Sequence, residues 1–157
     1  MGSKNLPKAL IYTDGSCIKN PGGNGGYATI IFEDDLCVKL SGFEPKTTNQ
    51  RMELKAVIEG LRYFDTPHQI TVCSDSAYVC NAHINKWYNT WMLNGWQNSN
   101  GQKVANIDLW KDFIRLLDRH KLTMVKVKGH SDNIFNNECD MMAKDIITFY
   151  NRVKSNI

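Results

Sequence analysis

Residues 49–74 read "NQRMELKAVIEGLRYFDTPHQITVCS", and their periodicity changes once. From Asn49 to Phe64 the apolar residues recur at helical spacing, with Thr48 or Asn49 as the N-cap, and Pro67 marks the exit. Gln69 to Ser74 is then a short β-branched run with the look of a buried strand. A strand upstream, joined through this helix to a second strand, needs a crossover, so the two strands pair in parallel. The upstream strand is Ala9 to Asp14. Between it and the helix lie a glycine-rich turn, "NPGGNGG" at 20–26, and two runs, Tyr27 to Phe32 and Leu36 to Phe43, that form a hairpin around Glu33, Asp34 and Asp35. Such short links impose antiparallel pairing. Downstream, Asp75 to Asn85 and Asn106 to His120 read as helices, Leu122 to Val127 as the last strand, and Asn136 to Arg152 as a closing helix. The expected fold is α/β: a mixed five-stranded sheet, three antiparallel strands and then parallel ones, with helices on both faces.

Composition sets the scale. The 157 residues, 42% of them hydrophobic, make one domain, 1–157, that buries about 70% of its unfolded surface. No apolar run reaches the roughly 20 residues of a membrane span, and "MGSKNLPK" has no signal-like apolar core. We expect no membrane association and a cytoplasmic location, or a domain of a larger protein. Five cysteines without a Cys-x-x-Cys pair indicate reduced thiols rather than a disulfide framework or zinc site. A net charge of +3 permits a nucleic-acid partner without requiring one.

The chemistry lies in misplaced acids. "YTDGS" (12–16) and "CSDSA" (73–77) each end an apparent strand on an aspartate, a residue depleted in strands and costly there when ionised. Glu53 shares a helical face with Val57, Gly60, Leu61 and Phe64, so a carboxylate heads a buried stripe. The closing helix repeats this, with Asp140 in its first turn beside the stripe of Cys139, Met142, Ala143, Ile146 and Tyr150. Any one of the 16 acids would read as solvated or as a cap. Four of them converging where open α/β sheets bind ligands is a different matter. Oxygen-only donors suit magnesium or manganese over zinc. Two such ions about 4 Å apart serve in-line displacement at phosphorus, so phosphodiester hydrolysis is the leading chemistry.

"TDGSCIKNPGGNGGY" (13–27), "TTNQRMEL" (47–54), "SDSAYV" (74–79), "NGWQNSNGQKVAN" (94–106), "VKGH" (127–130) and "NNECD" (136–140) together resemble the type 1 ribonuclease H family, in order and spacing. The resemblance implies the ribonuclease H-like fold and an endonuclease that cuts the RNA strand of RNA/DNA hybrids with two Mg²⁺ ions, Mn²⁺ being a substitute, and leaves 5′-phosphate and 3′-hydroxyl ends. It implies that Asp14, Glu53, Asp75 and Asp140 are the metal-binding catalytic carboxylates, Asp14 bridging both ions, and that His130 assists catalysis or product release. It places the RNA strand against Asn20, Asn49 and Gln50 with Cys17 nearby, and a DNA-strand phosphate at Lys46, Thr48 and Asn106. Tyr78, Trp87 and Trp91 correspond to an aromatic groove on DNA sugars, and Trp96 to an anchor of the protruding segment. Asn20 and Gln50 read equally as ordinary turn and helix-surface residues, and clustered aromatics as core. His68, His83 and His120, beside turns or helix ends, receive no role. A monomer is expected.

Two departures from the family pattern stand out. Lys46 occupies a position where relatives often carry Arg, and Met92, Leu93 and Gln97 occupy positions where many place Lys or Arg, leaving the segment from Lys86 to Lys103 nearly neutral. Two rivals remain. A hybrid-binding module would have no use for four convergent acids, and an integrase-like or 3′-exonuclease relative would not need the segment "KWYNTWMLNGWQNSNGQK" (86–103).

Overall fold

A computed structural model of the chain describes residues 5–128 and 133–156. The elements run β1 (Lys8–Cys17), β2 (Gly25–Glu33), β3 (Leu36–Glu44), α1 (Asn49–Arg62), β4 (Gln69–Ser74), α2 (Ala77–Ile84), α3 (Trp87–Leu93), α4 (Ile107–Leu117), β5 (Lys121–Lys126) and α5 (Ile134–Ser155). The strands lie in the order β3-β2-β1-β4-β5. β1, β2 and β3 pair antiparallel, while β4 runs parallel to β1 and β5 parallel to β4. This is the mixed sheet that the periodicities imply.

Alternation along the strands sends successive side chains to opposite layers. Ala9, Ile11 and Ile31 join the larger core, built with α1, α2, α3 and α4, whereas Ala28 and Ile30 pack with Cys139 and Ala143 of α5. The two helical layers are held close by small groups. Thr29 Oγ1 donates to the Ala56 carbonyl of α1 at 2.7 Å. On the other face, a Cβ on Gly26 would lie 2.3 Å from the Ala143 carbonyl oxygen, so β2 and α5 meet backbone to backbone. Among the described residues no helix is long and apolar enough to cross a membrane.

Several boundaries differ from the sequence expectation for physical reasons. β1 continues through Cys17 because its antiparallel register with β2 holds from Leu10↔Phe32 to Cys17↔Gly25, although its apolar pattern stops earlier. Asp14 is therefore inside a strand and opposite Ala28, but it lies beyond the parallel pairing to β4, whose last pair is Tyr12↔Cys73. Of the two candidate caps, Thr48 serves α1, its hydroxyl accepting the Arg51 N–H at 3.1 Å. α5 starts at Ile134, where Asn133 caps by accepting the Phe135 and Asn136 N–H groups. Asp140 thus stands in the second turn, not the first. Tyr150, expected in the buried stripe, is 46% exposed and stacks on Phe43 at the helix flank.

Candidate active site

Asp14 shares its strand face with Tyr12, the face covered by α5, so the strand directs this carboxylate towards the helix that carries Asp140. Glu53 arrives from the other layer, and Gly15 makes this possible. A Cβ at residue 15 would lie 2.4 Å from both the Glu53 nitrogen and the Met52 carbonyl carbon, so only glycine lets the first turn of α1 rest on β1 beside Asp14. Asp75 follows the end of β4, just before Ser76 caps α2 through its hydroxyl and the Val79 N–H at 3.2 Å. The four acids line one cavity of about 220 Å³, together with Gly15, Ser16, Asn49, Asn136, Asn137 and Lys144, room for several waters.

The electrostatics are unfavourable. Asp14 is only 7% exposed. Burial raises its carboxyl to about 8, the charges of Asp75 and Asp140 and a hydrogen bond with Asp140 add to the rise, and the Gly15 N–H, 2.9 Å from Oδ1, opposes it. Glu53 is also raised, by burial first and then by Asp75, against a hydrogen bond from the Ser76 side chain. Lys144 Nζ sits 3.0 Å from Asp140 Oδ2, one turn along α5, and pairs with that carboxylate at the cavity wall. Among the described residues no three acidic, histidine or cysteine groups close on a common point. The acids share a cavity and repel across it.

Asn136 is a site residue that the sequence reading missed. It is 2% exposed, it lines the cavity, and its side-chain oxygen has no hydrogen-bond partner among the described residues. Its position one helical turn before Asp140 was the available signal. A hard-oxygen donor set with an orphaned amide oxygen beside it fits divalent cations and their waters.

The flanking residues fall into two groups. Asn20 Oδ1 accepts the Asn49 N–H at 3.0 Å, which ties the glycine-rich turn to the head of α1, where Gln50 is exposed. The Cys17 thiol lies 3.4 Å from the carbonyl oxygens of both Gly23 and Thr47, packed between the same two segments. In the second group, the Tyr78 hydroxyl accepts from Asn106 Nδ2 at 3.1 Å and from Trp110 Nε1 at 2.8 Å. Tyr78 is therefore half-buried against the core as well as beside Asn106. Lys46 is exposed on the loop leading to Thr48, with a left-handed φ of 49°. Trp87 and Trp91 stand 6.4 Å apart on α3 and line an apolar groove with Thr90, Asn94, Gln97, Asn98 and Ser99. Trp91 also packs on Trp110, at 5.4 Å. Trp96 anchors the segment, its N–H bonding to the Trp91 carbonyl at 2.7 Å with Lys111 over its ring. His130 lies outside the described residues.

A five-stranded mixed sheet between helical layers, with carboxylates lining a cavity at one end of its central strand, defines an acid-lined α/β domain. Residues 7–148 match the family described as RNase H, and the chain belongs to that family. It is 45% identical over 142 residues to Ribonuclease H of Acetivibrio thermocellus, covering 90% of this chain and 96% of that protein. It is 47% identical over 140 residues to Ribonuclease H of Chlorobium limicola, covering 89% and 95%. Among solved structures it resembles LC9-RNase H1, described as a type 1 RNase H with the type 2 active-site motif, with a TM-score of 0.78 at 25% identity over 92% of this chain and 74% of that one. The PFV RNase H domain in solution gives a TM-score of 0.72 at 25% identity, covering 90% and 94%. The chain is an enzyme of this family with its fold.

Proposed function

We propose that the protein hydrolyses the RNA strand of RNA/DNA hybrids internally, by a two-metal-ion reaction that leaves 5′-phosphate and 3′-hydroxyl ends. The observation that carries this reading is the set of four carboxylates lining one cavity, with Asp14 buried among like charges and raised to about 8. Such a cluster opposes folding and is retained for what it binds. Asp14, Glu53, Asp75 and Asp140 would hold two ions of Mg²⁺ or Mn²⁺. Bound there, the ions supply a water acidic enough to attack at neutral pH and neutralise the charge developing on the leaving O3′.

The remaining roles belong to the chain. Asn136 Oδ1, buried at the cavity wall, is placed to accept a hydrogen bond from a water there. Asn20, Asn49 and Gln50 face the RNA strand, where short polar groups and backbone amides can read 2′-hydroxyls, and Cys17 packs beneath them. Lys46, Thr48 and Asn106 receive a phosphate of the DNA strand, and Tyr78, Trp87 and Trp91 pack on its sugars. His130, as an imidazole, is suited to proton transfer or product release. Five free cysteines, three of them buried, are consistent with a reducing compartment such as the cytoplasm, and we read residues 1–157 as one catalytic domain acting as a monomer.

Incubation with uniformly labelled RNA/DNA, RNA/RNA and DNA/DNA duplexes, with and without magnesium, tests the reading. Internal cuts confined to the hybrid and dependent on the metal are expected. Tight hybrid binding without cleavage would make the chain a binding module, and stepwise trimming of end-labelled hybrid would make it an exonuclease.

A further inference from the structure

One side chain outside the acid cavity ties together the segments flanking it. Arg51 projects from the first turn of α1, next to Glu53 on the helix but on a different face. Its Nη1 and Nη2 donate to Asp108 Oδ1 and Oδ2 of α4 at 2.9 and 2.7 Å, a bidentate fork, and its Nε donates to Glu44 Oε2 of β3 at 2.7 Å. The same Glu44 oxygen accepts the Thr47 hydroxyl at 2.6 Å, and Lys55 Nζ stands 3.7 Å from the other oxygen. Thr47 in turn is bonded in both directions to the glycine-rich turn, its N–H to the Gly23 carbonyl and its carbonyl from the Gly22 N–H, both at 2.8 Å. A continuous polar chain therefore runs from the turn through Thr47, Glu44 and Arg51 to Asp108.

The two ends of that chain matter because the DNA-phosphate pocket is divided. Lys46 and Thr48 belong to the loop before α1, whereas Asn106 belongs to the start of α4, more than fifty positions along the chain. Arg51 follows Thr48 by three residues, its own N–H held by the Thr48 hydroxyl, and Asp108 follows Asn106 by two. Asn106 takes a left-handed backbone at φ 62° and has no side-chain capping bond, so its side chain bonds Tyr78 instead. The Asp108 side chain is 64% exposed and that of Arg51 24%, so the pair adds little to stability. What a bidentate fork supplies is direction and distance.

We infer that Arg51, braced by Glu44 and aimed at Asp108, is a positioning residue that holds the two halves of the DNA-phosphate pocket together and in register with the turn that faces the RNA strand. The inference rests on the hybrid-cleaving reading above. Arg51 touches neither strand. It sets the spacing at which one phosphate and the 2′-hydroxyls opposite it are met together, and so contributes to selecting the groove width of a hybrid.

The test is steady-state cleavage of a hybrid whose DNA strand carries a single neutral methylphosphonate, scanned along the duplex, by wild type, Arg51→Lys and Asp108→Asn. With wild type, one linkage should raise KM when neutralised. On the unmodified hybrid each variant should raise KM about fivefold, the equivalent of about 1 kcal/mol for one directed ion pair, with kcat unchanged. Neutralising the sensitive linkage should then add nothing further in either variant, and the double variant should be no worse than the singles. Asp108→Asn alters one exposed group and keeps the test in a folded protein, which thermal melting verifies. An unchanged KM in both variants, or a penalty that adds in full to that of the methylphosphonate, overturns the positioning role while leaving the pocket intact. A wild-type enzyme indifferent to every linkage overturns the pocket itself, and the role with it.

Discussion

The protein buries polar groups at opposite ends of its central sheet, and treats them in opposite ways. At the start of β4, His68 Nδ1 donates to the Thr66 carbonyl at 2.7 Å while its Nε2 meets the Glu33 carboxylate. His120 Nδ1 accepts the His68 N–H at 3.1 Å, and its Nε2 donates to the Leu61 carbonyl at 3.0 Å. Burial lowers His120, so the ring is neutral and every ring nitrogen of the pair is used. At the far end of β1, Asp14 is equally enclosed, yet its neighbours are Asp75 and Asp140, and Asn136 Oδ1 has no partner among the described residues. Satisfied polar groups stabilise a fold; unsatisfied ones mark where a ligand completes the structure.

The largest effect should come from Asp14→Asn. Loss of a peripheral support for a metal site costs about 10- to 100-fold, so removing the central carboxylate should lower hybrid cleavage by more than about 100-fold, measured by gel assay in magnesium. Turnover near wild type would remove the site assignment.

The same substitution should raise metal-free stability, with a defined pH dependence. A carboxyl at about 8 when folded and 3.8 when unfolded takes up a proton on folding at pH values between the two, so the unfolded state binds fewer protons across that interval. The cost is absent below about pH 4, grows through the interval and is complete above about pH 8. Asp14→Asn should therefore stabilise by the order of 2–4 kcal/mol at pH 7 and by nothing at pH 3, as followed by urea unfolding. Magnesium should erase much of the difference by stabilising the wild type.

The histidine end should behave in reverse. His120→Ala strands the His68 N–H and the Leu61 carbonyl, at about 1–3 kcal/mol for an orphaned buried group, and should lower the urea midpoint while leaving kcat per folded molecule unchanged. An equal loss of activity would mean that the two ends are coupled.

The smallest effect concerns the protruding segment, where Trp87, Trp91 and Trp96 stand in a nearly uncharged stretch. Gln97, at the rim of the aromatic groove, is the natural place to add charge. Gln97→Lys should tighten hybrid binding at low salt and steepen the plot of log affinity against log salt by about 0.7–0.9, without altering kcat. A steep slope in the wild type would show that its binding is electrostatic rather than aromatic.

Much of this was legible in the residues themselves. The change of period at Asn49–Ser74 dictated a parallel crossover because helix and strand impose different spacings, and Asp14, Glu53, Asp75 and Asp140 stood out because charge is costly where each of them falls. Local capping was legible in type but not in choice, since Thr48 and Asn49 are both good caps and only the chain's path selects Thr48. Tertiary structure decided the rest. β1 extends past Asp14 because β2 pairs with it, α5 starts early because Asn133 caps it, and Asp140 consequently sits a turn deeper. Asn136 joins the acids only because Gly26 lets α5 rest on the sheet, and Arg51 reaches Asp108 only because α1 and α4 share a layer. Periodicity and charge are properties of neighbours along the chain, so a sequence reports them. Close approach between distant backbones, and the pairing it permits or denies, exists only once the layers have packed.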